Sequence, residues 1–119
     1  MHNYKELRIW QEAMEVAQTI YQLTDSIPAN EKYGLTSQIN RAAISIPSNI
    51  AEGAGRSTNK EFSYFISVAL GSAYELETQL LLSSRIGLIR VSDIEKPLLD
   101  LERLQKMLYK FKQTLKSDK

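Results

Sequence analysis

The chain has no cysteine and only one histidine, and these two shortages exclude several classes of chemistry. Without cysteine there is no disulfide, thiolate zinc site, iron–sulfur cluster or cysteine nucleophile. The one histidine is His2, close to a chain end that usually frays, which makes it a poor acid–base catalyst or metal ligand. Di-iron sites in helical bundles need Glu-x-x-His pairs facing the interior, and the sequence contains none. We therefore expect no cofactor and no metal centre.

Long apolar runs, glycine and proline are scarce as well. No uninterrupted apolar stretch approaches the ~20 residues of a membrane span, and the charged N-terminus does not resemble a signal peptide. Five glycines and three prolines among 119 residues, with 24% charged side chains, are typical of a globular helical chain. This length allows one hydrophobic core and is too short for two ordinary ones. The sequence thus predicts a single cytoplasmic domain over residues 1–119 that makes no membrane contact.

Apolar residues recur at three- and four-residue steps in four segments, the pattern of amphipathic helices. The first segment runs from about Leu7 to Thr24 and the second from Leu35 to Ala54. The third begins at a capping box, Thr58–Glu61, and ends near Gly87, whose position suits a left-handed C-terminal cap. The fourth follows a second capping box at Ser92–Glu95. Because the links are short, the pattern predicts an all-α, antiparallel up-down four-helix bundle.

A proline lies in the middle of the second predicted helix. Pro47 removes one backbone donor and costs the helix on the order of 3 kcal/mol, so we expect a kink there that packing offsets. Gly53 and Gly55 follow, and they have the composition of a helix terminator. A phosphate-binding loop is the alternative, but that motif follows a strand and ends in Gly-Lys-Ser/Thr.

Short polar side chains share the other side of this helix. The resulting polar strip, with the proline that it flanks, consists of Arg41, Ser45, Pro47, Ser48, Asn49 and Glu52. A buried charge needs a partner, so we expect the strip to pair with Glu75 or Glu77 and to set helix register or a subunit contact. One of its side chains would also satisfy the Ala43 carbonyl that Pro47 leaves free. Catalysis is the competing interpretation, but no nucleophile–base pair accompanies the strip.

The third predicted helix has more apolar surface than one partner face requires. Leu70, Tyr74, Leu81 and Leu82 lie off its main apolar stripe. This surplus indicates additional burial between subunits.

The net charge of +1 conceals a basic end of the chain. The cations on the fourth predicted helix are Arg103, Lys106, Lys110, Lys112 and Lys116, and Tyr109 lies among them. Such a cluster is compatible with nucleic-acid binding, although lysines near a helix C-terminus also complement the helix dipole and keep a protein soluble. Both interpretations remain open at this point.

Several separate motifs together resemble one known family. They are Tyr4-Lys5-Glu6-Leu7 with Trp10, the segments 31–39 and 41–53, and the segments 69–72 and 75–80. The chain resembles the four-helix-bundle proteins of the 23S rRNA intervening-sequence family over nearly its whole length, and only the part beyond Ile94 is generic. The resemblance implies a homo-oligomer, in the form of a pentameric ring. It also implies a distant similarity to the accessory variability proteins of diversity-generating retroelements, whose partners are nucleic acid and a reverse transcriptase.

Three functions therefore compete. The first is a homo-oligomeric, non-enzymatic bundle that binds RNA or another nucleic acid through the basic helix, with phosphate contacts supplying most of the affinity. The second is a structural or adaptor protein that acts through protein contacts only. The third is an enzyme, which has the least support because no catalytic constellation is present in the sequence.

Overall fold

The computed structural model describes residues 3–28 and 34–116, which form a short 3₁₀ turn, Tyr4–Glu6, and four α-helices. The helices are α1 (Arg8–Asp25), α2 (Leu35–Ala54), α3 (Asn59–Arg85) and α4 (Val91–Lys116). No strand occurs in this part of the chain. The predicted all-α class is confirmed.

Contacts between neighbouring helices show that the helices are antiparallel. Along α2 and α3, Ser45 meets Ser72, whereas the later Gly53 lies against the earlier Phe62. The same reversal relates α3 to α4, where Glu77 bonds Gln105 and Phe62 packs on Phe111. Since α1 also packs against both α2 and α4, the four helices close into an up-down bundle, as predicted.

The core is a continuous column of aliphatic side chains along the bundle axis. Every helix contributes fully buried residues, among them Ile20, Ile46, Leu76 and Leu104. Burial of one such side chain contributes about 1.5–3 kcal/mol, so the column outweighs the weak intrinsic preferences of single helices. The result is a rod with principal extents of 49 × 21 × 20 Å. No helix in the described residues combines the length and apolarity needed to cross a membrane.

The helix ends follow the sequence signals in two cases and depart from them in a third. The Thr58–Glu61 capping box is present with both of its hydrogen bonds, and Gly87 has a left-handed φ of 80° just after α3. In contrast, α4 begins at Val91, so Ser92 lies inside the first turn and its predicted role as N-cap is wrong. The turn that leads into α4 begins at Arg90, one residue before Val91, as the hydrogen bond from the Asp93 N–H to the Arg90 carbonyl at 2.9 Å shows.

Gly53 has a different role from the one predicted. It lies inside α2 and is buried, and a Cβ built on it would stand 2.7 Å from Phe65 Cβ and 2.8 Å from Phe62 Cδ1. The glycine therefore permits a close approach of α2 and α3, and it does not terminate the helix. Only Gly55, the C-cap residue, is at the terminus, and its φ of −86° is right-handed.

Pro47 is buried within α2, which continues through it as one helix of 20 residues. The proline therefore does not divide the helix in two. Burial of its ring is packing of the kind expected to offset the lost backbone hydrogen bond.

Candidate nucleic-acid and assembly interface

The basic residues of α4 do not form one face. Arg103 points to α1, where its guanidinium donates to Glu12 at 2.7 Å and lies 3.9 Å from Asp100. Lys106 and Lys110 are one turn apart and exposed. Lys112, two positions further on, lies on the opposite side of the helix and is half-buried. The five predicted cations therefore lie on different sides of α4, and Arg103 is already paired with Glu12.

Lys106 and Lys110 border a groove between α3 and α4. This aromatic groove has a volume of about 460 Å³ and is lined by Tyr74, Glu102, Gln105, Lys106, Tyr109 and Lys110. Both tyrosines are more than half exposed, at 52% for Tyr74 and 56% for Tyr109. Among the described residues, neither lysine has an ion-pair partner within 4 Å. The groove therefore combines two accessible rings with two free positive charges.

A hydrogen bond between α3 and α4 lies beside this groove. The Gln105 side-chain amide is buried and donates to Glu77 Oε1 at 2.9 Å. The sequence indicates Tyr109, which lies among the lysines of α4, but it gives Tyr74 only as part of the surplus apolar surface of α3. The antiparallel register of the two helices brings the two tyrosines to the same groove, and that register is not visible from either segment alone.

The charge of the side chains that line the cleft between α3 and α4 changes from positive to negative along its length. Towards the N-terminal half of α4 it becomes a second groove of about 500 Å³, lined by Glu77, Glu95, Leu98, Leu99 and Glu102. An anion is therefore attracted at the Lys106 end and repelled at the Glu95 end.

The polar strip on α2 is held by short hydrogen bonds. Ser45 Oγ and Ser72 Oγ are 2.8 Å apart, and the Asn49 amide donates to both the carbonyl and the hydroxyl of Ser45, at 2.8 and 2.9 Å. Asn49 reaches the Ser45 carbonyl because Ser45 lies one helical turn before it. Ala43 lies six residues before Asn49, and the Asn49 side chain does not bond its carbonyl. The expectation that a strip side chain would bond the Ala43 carbonyl is therefore wrong for Asn49.

The charged members of the strip do not make the predicted contacts. Glu52 forms an ion pair with Arg56 at 2.6 Å, and Glu77 accepts from Gln105 instead. Arg41, Ser48 and Glu75 are exposed, and within the described residues Arg41 has no ion-pair partner. Pairing of the strip with Glu75 or Glu77 inside one chain is thus wrong. Glu52 instead pairs with Arg56, four residues later in the chain, and this local ion pair does not depend on contact with another helix.

Large apolar side chains are exposed at the end of α3. Leu81 is 46% exposed, Leu82 47% and Ile86 62%, and we refer to these three as the apolar end patch. Leu81 and Leu82 also line a shallow groove of about 360 Å³ with Thr78 and Arg85. The predicted apolar surplus of α3 is therefore on the surface, with only Leu70 packed against the core.

The described residues contain no group of three or more His, Asp or Glu side chains placed to hold a metal ion. The sites that the structure offers are consequently surfaces, namely the aromatic groove, the polar strip and the apolar end patch.

Comparisons with known proteins agree with this architecture. The model of a family described as 23S rRNA-intervening sequence protein matches residues 5–110. A crystal structure of a protein with unknown function from the S23 ribosomal protein family, from Bacteroides thetaiotaomicron VPI-5482, superposes with a TM-score of 0.80. That chain is 27% identical, and the match covers 87% of this chain and 96% of that one. No curated protein matches this chain.

Proposed function

Because this chain belongs to the 23S rRNA-intervening sequence protein family, we propose that it is a non-enzymatic, homo-oligomeric bundle that binds RNA through the basic end of α4. The observation that carries the RNA proposal is the pair of exposed lysines, Lys106 and Lys110, which lack an ion-pair partner among the described residues. Lys116 is exposed but lies one turn after Lys112, away from the Lys106 and Lys110 side of the helix, so Lys112, Lys116 and the paired Arg103 contribute less. We place the protein in the cytoplasm, where such RNA is found.

Neutralising the two lysines tests the RNA proposal. We expect Lys106→Gln with Lys110→Gln to weaken binding of labelled 23S rRNA fragments, and the salt dependence of log K to fall by about one per lysine. The measurement is a fluorescence anisotropy titration at several ionic strengths. Lys96→Gln is the matched control, because it also removes a positive charge from α4 but Lys96 pairs with Asp100 at 3.0 Å, away from the aromatic groove. If Lys96→Gln weakened RNA binding as much as the single variant Lys106→Gln or Lys110→Gln, the proposal would be contradicted.

The assembly proposal rests on the apolar end patch. Water-exposed leucine and isoleucine side chains in a cluster favour burial against another subunit. A closed ring, such as the pentamer that we propose, needs two different contact surfaces on each subunit. The polar strip, with Arg41 and Ser48 exposed, is the second surface in this proposal.

Charged side chains introduced into the apolar end patch are expected to dissociate the assembly into single chains. Light scattering of the parent protein should give a multiple of 13.6 kDa, and Leu81→Lys with Leu82→Lys should give the single-chain mass at the same concentration. Tyr64→Lys serves as the control, because Tyr64 is 63% exposed at the other end of α3. A parent protein that scatters as 13.6 kDa would refute the assembly proposal and leave the RNA proposal standing.

A structural or adaptor role through protein contacts alone is the second candidate. The ion pair of Arg103 with Glu12 favours it, because that contact removes one of the five basic residues from the available cationic surface. This alternative predicts assembly without any salt-dependent binding of RNA, so the two experiments above separate it from the first candidate.

A further inference from the structure

We propose that the aromatic groove binds an unpaired nucleotide of single-stranded RNA, with the base stacked on Tyr74 or Tyr109 and its phosphate near Lys106 and Lys110. This inference rests on the proposed function, because it names the form of RNA that the basic end of α4 receives. It concerns the groove alone, and the assembly surfaces are not involved.

The two tyrosine rings are available for stacking. Each is more than half exposed, and neither makes an aromatic contact within the described residues, where the ring pairs are Tyr4–Trp10, Phe62–Phe111 and Tyr64–Phe65. Every nucleobase presents a flat π-face, and stacking on an exposed aromatic ring is a general mode of single-strand binding. Tyr74 from α3 and Tyr109 from α4 supply such rings on both walls of one groove.

The charges of the groove fix where the phosphate goes. Lys106 and Lys110 are separated by one helical turn on the same side of α4. Glu102, which also lines the groove, repels a phosphate and so favours its placement at the lysine end. Its carboxylate is at the same time an acceptor for a base amino group such as N4 of cytosine. The acidic groove beyond Glu102 prevents a polyanion from following the cleft further.

The shape of the groove favours an unpaired base over a duplex. A volume of about 460 Å³ lies in the usual range of sites for small molecules, which is about 300–1,000 Å³. In a duplex the base faces are stacked on one another and cannot lie against a side chain, whereas the bases of a single strand are free to do so. Phosphate contacts alone would not distinguish the two forms in this way.

Anisotropy titrations with two matched probes test the inference. The probes are a labelled oligocytidine of about 12 nucleotides, a length within the site sizes of single-strand binders, and the same strand annealed to its complement. We expect Tyr74→Leu with Tyr109→Leu to weaken oligocytidine binding by about tenfold or more, and to leave duplex binding unchanged. Tyr74→Phe with Tyr109→Phe, which retains both rings, should bind oligocytidine within about twofold of the parent. Tyr64→Leu is the control, because this exposed tyrosine lies outside the groove, where it packs edge-to-face against Phe65.

The results distinguish a failure of base stacking from a failure of RNA binding. Retained oligocytidine binding by the Tyr74→Leu, Tyr109→Leu variant, together with weakened binding by Lys106→Gln, Lys110→Gln, would overturn the stacking inference and leave RNA binding intact. An equal loss for both probes would overturn it as well. If the parent protein binds neither probe nor the 23S rRNA fragments, RNA binding itself fails. Thermal melts and light scattering of each variant check that the fold and mass are retained, and the single variant Tyr109→Leu replaces the double variant if either changes.

Discussion

Phe62→Ala should lower the free energy of unfolding by about 3–5 kcal/mol, the usual cost of truncating a buried phenylalanine. Phe62 is 2% exposed, and its ring packs edge-on against Phe111 with 5.3 Å between centroids, joining α3 to α4. It also lies against Gly53, so the same ring joins α3 to α2. Removing it leaves a cavity at a point where three helices meet. Urea unfolding followed by circular dichroism measures the loss.

Phe65→Ala is the matched comparison for this substitution. Phe65 lies one turn after Phe62 but is half-buried, and its ring contacts Tyr64 and the Arg56 guanidinium, 4.7 Å from the ring centroid. We expect its truncation to cost less than half as much, because the ring is already partly in water. Similar losses for the two variants would contradict the central position assigned to Phe62.

Gly53→Ala is expected to destabilise the protein by about 1–3 kcal/mol, although alanine is ordinarily the better helix former. The added Cβ would be 2.7 Å from Phe65 Cβ, which belongs to the root of a side chain and cannot rotate away. Helix α2 must therefore move from α3. The same substitution at Gly71, where a Cβ meets nothing within 4 Å, should instead stabilise the protein by about 0.5–1 kcal/mol.

The two glycine variants are expected to change the stability of the protein in opposite directions. Both substitutions add one methyl group within a helix, in the last turn of α2 and in the middle of α3, so helix propensity alone would stabilise both. Chemical unfolding of the two variants under one set of conditions decides between helix propensity and the close approach of α2 and α3. A melting temperature raised by Gly53→Ala would refute the close approach.

The features that the sequence predicted correctly are local or periodic. The apolar stripes of the four helices, the Thr58–Glu61 capping box and the left-handed Gly87 each depend on residues close together in the chain. These patterns also imply the bundle, because short links leave consecutive helices little choice but to pack antiparallel. The start of α4 was the exception, since Ser92 and Glu95 have the spacing of a capping box without acting as one.

Features that depend on the relative position of two helices could not be predicted. Gly53 resembles a terminator until Phe62 and Phe65 are placed against it. Arg41 and Glu52 share a face with Ser45, but the side chains that their charges meet depend on how α2 sits on α3. The aromatic groove needs the register that sets Tyr74 beside Tyr109, two residues 35 positions apart in the chain. Register is a property of side-chain packing in three dimensions, which periodicity does not encode.

The connection of the four helices by short links has a kinetic consequence. Except for the contact of α1 with α4, each helix packs on the next one in the chain, so most native contacts join nearby segments. Chains with such low contact order fold in about milliseconds or less. The self-association that we propose is instead a bimolecular step whose rate depends on concentration. A dilute refolding experiment should therefore separate the two events in time, with helix formation complete before any copy meets another.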